Sequence, residues 1–361
     1  MSNESKSDRS NRGLRGGFEV DPAVTARLAQ LLAMTSPKIT FLAGDGSDRS
    51  YYRIVDESGL EKAVLMFLSP QDAALLAEDR YDWTHIRMAF SRAHLPVPQI
   101  LARLPEFRLL VIEDCGDETL EMAVRNAPTA TGRLDPYKIP INHLVCLLGA
   151  SKQPGDVWAT RAFDFEKLQF ELLFFHEHFV EGLLKKSLFT THDLACLLED
   201  YAALASWLAA KSKYLTHRDY HSRNILEDKG RWSIIDFQDA RIGPASYDLV
   251  SLALDPYVGL TSAERLSLIS MGSSVVSSLG SEVEKDILET WKPCGLQRII
   301  KALGSFAYLT RVKKRGDYLS YAPRAIDMLG DLSLENKAWP YLSGPFLEVL
   351  KANAHQLTSH D

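Results

Sequence analysis

The stretch HRDYHSRNILEDKGRWSIIDFQD, residues 217–239, decides the reading of this chain. Asn224–Leu226 and Trp232–Ile235 are strand-like apolar runs, and the turn-forming EDKGR between them lets them pair as a hairpin. Pairing brings the start of the first strand beside the end of the second, so Asn224 lies next to Asp236. Asp219, in the loop just before, opens onto the same mouth. Two carboxylates and one amide oxygen converging there suit Mg²⁺, a hard cation that takes few protein oxygens and completes its shell with phosphates and water. Asn224 and Asp236 are the expected metal ligands. Asp219, off the metal, is the expected catalytic residue, accepting a hydrogen bond from a substrate hydroxyl and aiming it at a γ-phosphate.

An aspartate in a turn is ordinarily a cap or an Asx-turn. The HRDxxxxN spacing, the hairpin and the terminal IID together outweigh that account for Asp219 and Asp236. For Asp239 the balance is reversed, and capping or loop hydrogen bonding is the expected role.

Working outward, Asp21 and Pro22 open a helix that runs to about Met34. Three β-type runs between Ile39 and Leu68 read as an antiparallel meander, and a helical stretch follows from about Gln71 to His94. A further strand, RLLVI, ends at EDCGD, residues 113–117. Beyond Thr119 the pattern is helical apart from the hairpin. The expected fold class is α+β with two lobes: a disordered tail over 1–20, a small antiparallel-sheet N-lobe over 21–117 that binds nucleotide and has its hinge at 113–117, and a larger helical C-lobe over 118–361. A cleft is expected between the lobes.

With 361 residues and a net charge of -6, the chain lacks the basic footprint of a duplex-binding protein, so nucleic acid is not an expected partner. No run of 18 apolar residues and no signal-peptide core is present, so neither a membrane span nor secretion is expected. Cys115, Cys146, Cys196 and Cys294 form no CxxC pair and read as reduced thiols of a cytoplasmic protein.

In the first lobe GDGSDRSYYR, residues 44–53, lies between two strands, where backbone N–H groups around Gly46 and Ser47 are placed to cradle phosphates. Arg223 is a further candidate for phosphate or substrate. His176 and His178, two apart on a helix, point to different faces and read as partly exposed histidines rather than a chelate. The basic run Arg311, Lys313, Lys314 and Arg315 reads as a solvated helix end.

HRDYHSRN followed by IIDFQDARIGPASYDL resembles the aminoglycoside/choline phosphotransferase branch of the protein-kinase-like fold, and the resemblance runs from about Phe41 to Met328. Within that branch, IDFQDA, GPxxYDLxSL and LQRIIKALGSFA from Leu296 are similar to bacterial kinases acting on the anomeric hydroxyl of N-acetylmuramate and N-acetylglucosamine. The resemblance implies ATP and Mg²⁺ as cofactors, a small-molecule sugar as substrate, and no obligate protein partner. It also implies that the Glu113 carbonyl and Cys115 N–H meet the adenine edge, with Ile112 behind it. Asp248 would hold the catalytic loop from below, with His217 and Arg218 orienting it. Glu171, Arg298 and Lys301 fall in segments similar to the substrate lobe of those sugar kinases.

The chain departs from the general kinase pattern at Met66, which stands where a phosphate-binding lysine is expected. Arg49 or Arg53 is expected to replace the charge, and Glu78 is a candidate ion-pair partner. The competing readings are a kinase for another hydroxyl, such as an aminoglycoside, choline or another sugar, and a non-catalytic pseudokinase-like binding protein.

Overall fold

A computed structural model describes residues 21–44, 49–59, 62–129, 131–184, 188–315, 318–332 and 338–354. The expected tail over 1–20, together with Gly46 and Ser47, lies outside the described residues. The chain divides into two compact units, one containing residues up to Arg87 together with Val97–Gly116, the other containing Met88–Pro96 and everything from Asp117.

In the first unit, helix α1 (Pro22–Leu32) starts at Asp21, whose side chain accepts from the Ala23 N–H, and stops at Ala33, which adopts the left-handed conformation. Strands β1 (Lys38–Gly44), β2 (Ser50–Val55) and β3 (Lys62–Phe67) form the expected meander. Helix α2 (Pro70–Ala77) and helix α3 (Asp82–Arg92) replace the single expected helix, because the chain turns through Asp79 at φ 55°. Strand β4 (Ile100–Leu104) becomes the edge and β5 (Leu109–Glu113) pairs with β3, so the sheet order is β1-β2-β3-β5-β4. Side chains alternate across the sheet. Tyr52, Ile54, Leu65, Leu109 and Val111 share one core cluster with Val24 and Leu28 of α1.

Residues 88–96, expected with the first lobe, pack with the second unit. Phe90 lies against Phe237 with ring centroids 5.5 Å apart, and the Ile234 N–H donates to the Pro96 carbonyl at 2.7 Å. The second unit continues with β6 (Glu118–Thr119), α4 (Leu120–Arg125), α5 (Lys138–Leu148), α6 (Phe165–Phe175), α7 (Glu181–Leu183) and α8 (Thr191–Ala210). After these come β7 (Tyr214–Thr216), β8 (Ile225–Asp228), β9 (Arg231–Ile234), β10 (Arg241–Gly243), α9 (Tyr247–Ala253), α10 (Ser262–Val276) and α11 (Ser281–Arg311). Helices α12 (Ala322–Leu329), α13 (Pro340–Ser343) and α14 (Pro345–Asn353) complete it.

The expected hairpin is β8–β9, in register Ile225 to Ile234, and β6 adds a third strand that the sequence pattern did not show. A separate ladder, β7–β10, brackets the loop that carries Asp219. Helix α11 reaches that loop because it packs closely on α6: a Cβ on Gly304 would lie 2.7 Å from the Phe175 Cα. Only glycine permits that approach. His176 is buried in a short π-helical segment after α6, not partly exposed as expected. No described helix is long and apolar enough to cross a membrane.

Candidate active site

The loop 217–224 is held from beneath by Asp248, at the start of α9, whose two carboxylate oxygens accept from the backbone N–H groups of His217 at 2.7 Å and Arg218 at 3.1 Å. Burial pushes the Asp248 carboxyl up to about 7 against those hydrogen bonds. The His217 ring lies against the Ile235 carbonyl at 2.9 Å, and burial lowers it to about 4. Arg218 takes a left-handed backbone at φ 83°, as does Asp236 at φ 63°. Non-glycine residues hold such angles only where the surroundings over-determine them.

Asp219 sits among cations. Lys301 Nζ, from α11, is 2.9 Å from Asp219 Oδ1, and the guanidinium groups of Arg298 and Arg218 are each 3.8 Å away. Burial alone would raise the Asp219 carboxyl, yet Lys301, Arg218 and Arg298 hold it well below the usual range. Lys301 is lowered to about 8, chiefly by burial, with Asp219 opposing. Glu171, buried on α6, accepts from Gln297 at 2.9 Å and pairs with Arg218 at 3.4 Å; burial opposes its ionisation, and Lys301, Arg218 and Lys167 overcome it. Glu171, Arg298 and Lys301 therefore converge on the Asp219 loop. Arg223 is committed elsewhere: it donates to Glu121 at 2.6 Å and to Tyr321 at 2.8 Å, with its guanidinium 3.6 Å over the Tyr257 ring.

Asn224 and Asp236 are neighbours, as the hairpin requires, with Asn224 Nδ2 3.3 Å from Asp236 Oδ2. Asn224 Nδ2 also donates to the Asp219 carbonyl at 2.9 Å, and Gln238 Nε2 donates to Asp236 Oδ1 at 2.6 Å. Among the described residues no group of three or more His, Cys, Asp or Glu side chains is arranged to hold a metal. An all-oxygen pair of one carboxylate and one amide fits a cation that draws its other ligands from phosphate and water. Asp239 lies in an ion pair with Arg218 at 2.7 Å.

Beside Asp219 is a cavity of about 160 Å³ whose lining includes His221, Asp255, Tyr257, Arg298, Lys301 and Phe306. Asp255 is consumed by the loop: it accepts from Ser222 N–H and Oγ and from the Tyr257 N–H. Sequence reasoning passed over Asp255, Tyr257 and His221, although Asp255 and Tyr257 lie in the LDPYV segment and His221 within the motif itself.

In the first unit, Met66 is buried beneath the Tyr81 hydroxyl, which donates toward its sulfur at 3.8 Å. The same hydroxyl is hydrogen-bonded to Arg49, and burial pushes it up to about 12 against the Arg49 charge. Arg49 thus stands beside the position where the lysine is missing. Arg53 is held by Asp114 through contacts of 2.6 and 2.9 Å, and Asp114 also accepts from the Gly116 N–H. Glu78 is no partner for either: it is exposed and pairs with Arg80. Ile112 and Glu113 end β5, where Glu113 N–H donates to the Gln99 carbonyl, and Cys115 is buried with its thiol toward the Glu113 carbonyl.

A five-stranded antiparallel sheet in one unit, and a mainly helical second unit carrying an Asp–Asn–Asp constellation on a small sheet, define a protein-kinase-like phosphotransferase. Residues 38–269 match the phosphotransferase enzyme family, and the chain belongs to it. It is 28% identical over 298 residues to an N-acetylmuramate/N-acetylglucosamine kinase of Neisseria meningitidis, covering 82% of this chain and 85% of that one. Among solved structures, an ethanolamine kinase of Plasmodium vivax superposes with a TM-score of 0.56 at 13% identity, covering 87% of this chain and 91% of that one. An ADP-bound aminoglycoside phosphotransferase gives 0.52 at 14% identity, covering 94% and 99%. At such identities the superpositions speak for the fold alone.

Proposed function

We propose that this protein is an ATP- and Mg²⁺-dependent kinase that phosphorylates the anomeric hydroxyl of an N-acetylated amino sugar, N-acetylmuramate or N-acetylglucosamine, in the cytoplasm as part of cell-wall recycling. The observation that carries the reading is the pair of cations, Lys301 and Arg298, beside Asp219 in a cavity of about 160 Å³. A site for polycationic acceptors calls for the opposite lining, since like charges repel in a partly desolvated pocket. The aromatic face that would hold a quaternary ammonium, Tyr257, is covered by the guanidinium of Arg223. The name of the Neisseria relative points the same way.

In this reading Asp219 accepts the hydrogen bond of the acceptor hydroxyl and orients it for in-line attack. Its carboxylate, kept ionised by the three cations, is always ready to accept. Asp236 and Asn224 would hold Mg²⁺, which, when bound, offsets charge on the β- and γ-phosphates. Glu113, Cys115 and Ile112 are assigned to the adenine, and Arg49, with Gly46 and Ser47, to the phosphates. Glu171 positions Arg218 and compensates Lys301, while Arg223 shapes the wall at Tyr257.

The test is an acceptor panel of N-acetylmuramate, N-acetylglucosamine, kanamycin and choline, followed by ADP release, with the phosphorylated atom identified by phosphorus NMR. Phosphate on the anomeric oxygen of an amino sugar supports the proposal. Turnover of the cationic compounds only, or phosphate on another oxygen, overturns it.

A further inference from the structure

The carboxylate assigned to Mg²⁺ is held by a residue that the assignment leaves out. Asp236 is exposed, at a left-handed backbone position just after β9, so burial does not fix its side chain. Mg²⁺ demands near-ideal octahedral geometry and tolerates little rotation of a ligand. Gln238 Nε2 donates to Asp236 Oδ1 at 2.6 Å, and Asn224 Nδ2 faces the other oxygen at 3.3 Å. An ionised carboxylate only accepts, so the nitrogen of the glutamine amide, not its oxygen, is the atom that meets it. The Gln238 contact is short, as hydrogen bonds to an ionised acceptor are, whereas the Asn224 amide nitrogen is shared with the Asp219 carbonyl at 2.9 Å. Of the two, Gln238 holds Asp236 more tightly.

The backbone of Gln238 is anchored in turn. Its carbonyl accepts from Arg161 Nη1 at 3.1 Å, and the Arg161 carbonyl accepts from the Ile242 N–H of β10 at 2.9 Å. On the side toward Asp236, the Phe237 ring is buried against Phe90. The Phe237 carbonyl accepts from the Ala240 N–H at 3.0 Å and closes the turn around residue 238. A glutamine suits this place in both length and charge. It reaches back two residues, and its neutral amide leaves the full negative charge of Asp236 to a cation, where a lysine or arginine would offset it. We propose that Gln238 is a positioning residue for the metal site, fixing the Asp236 carboxylate so that it and Asn224 meet the same cation. Hydrogen bonds to ligating carboxylates orient them in this way and tune metal affinity. The proposal rests on the kinase reading above and adds the support of its metal ligand.

The experiment compares wild type with Gln238→Met, which keeps the length and removes the donor, Gln238→Ala, which removes both, and Asp236→Ala. Mn²⁺ binding to the enzyme–ADP complex is followed by electron paramagnetic resonance, Mg²⁺ and Ca²⁺ are measured by competition with Mn²⁺, and ADP binding in EDTA is measured by calorimetry. Both Gln238 variants should bind Mn²⁺ and Mg²⁺ about 10- to 100-fold more weakly, with metal-free ADP affinity within about twofold of wild type. Ca²⁺ accepts flexible geometry, so its affinity should fall less than that of Mg²⁺, by a margin of about threefold or more. Wild-type Mn²⁺ affinity in the Gln238 variants, beside a loss in Asp236→Ala, overturns the proposal. Equal losses for Mg²⁺ and Ca²⁺ overturn it as well, since they mark a change of charge and not of position. A loss of metal-free ADP affinity in step with metal affinity does the same by marking a general structural role. Wild-type Mn²⁺ affinity in Asp236→Ala is a separate failure: the metal assignment itself falls, and this inference with it.

Discussion

The ammonium of Lys301 lies 2.9 Å from Oδ1 of Asp219, joining two residues 82 positions apart in the chain. A carboxylate already paired with a cation takes a hydroxyl proton poorly, but it orients that hydroxyl well. The pair therefore describes a site that works by positioning and by charge placed around the transferred group.

Replacing Lys301 by Met should lower kcat/KM for the acceptor by about 10- to 100-fold, the range for one charge-assisted hydrogen bond, with nucleotide affinity unchanged. The pH dependence follows from its lowered value of about 8 in the folded protein, among Asp219, Arg218, Glu171 and Arg298. Above pH 8 Lys301 loses its charge, so acceptor kcat/KM should fall through a basic limb there, and Lys301→Arg should move that limb upward. An unchanged limb in the arginine variant would assign it to another group.

Arg49 and Arg53 should separate cleanly. Arg49, beside Met66 and bonded to Tyr81, is expected to supply phosphate charge, so Arg49→Ala should raise the KM for ATP several-fold and leave the acceptor KM alone. Arg53 is held by Asp114, and Arg53→Ala should mainly lower the melting temperature. Wild-type ATP kinetics in Arg49→Ala would leave Met66 uncompensated.

Asp236→Ala should weaken Mg²⁺-dependent nucleotide binding as well as turnover, because it removes the only carboxylate of the Asn224–Asp236 pair. Mn²⁺ binding followed by electron paramagnetic resonance reads this without turnover. Equal Mn²⁺ affinity in the variant would put the metal elsewhere.

Asp248 bears on stability. Its folded value of about 7 lies above the ordinary 3.8, so the neutral form is favoured in the fold, and its contribution is present at low pH and lost as pH rises from about 4 to 7. Thermal melts across that range should show the slope in wild type and lack it in Asp248→Asn. Asp248→Ala, which strips two buried N–H groups of their acceptor, should cost about 1–3 kcal/mol for each.

The motif region was legible because its logic is local. The spacing from Asp219 to Asn224 and the turn between Leu226 and Trp232 determine which residues meet, and β8–β9 forms in that register. Lys301, Arg298 and Glu171 were reached through resemblance alone, since no local period links α6 or α11 to the loop at 217–224; packing at Gly304 and Phe175 makes that link. The break at Asp79 went unread because a left-handed non-glycine residue leaves no compositional trace. Strand β6 was missed because two residues, Glu118 and Thr119, carry no periodicity. The affiliation of 88–96 with the second unit depends on Phe90 meeting Phe237, a contact between residues far apart in sequence.

The most direct measurement of the central claim is Asp219→Asn assayed for phosphoryl transfer and nucleotide affinity side by side. Orientation of the acceptor by this carboxylate predicts a fall in kcat of about 10²- to 10⁴-fold with the ATP dissociation constant within about twofold of wild type. Near wild-type turnover in the asparagine variant, or a loss of nucleotide affinity equal to the loss of turnover, would contradict it.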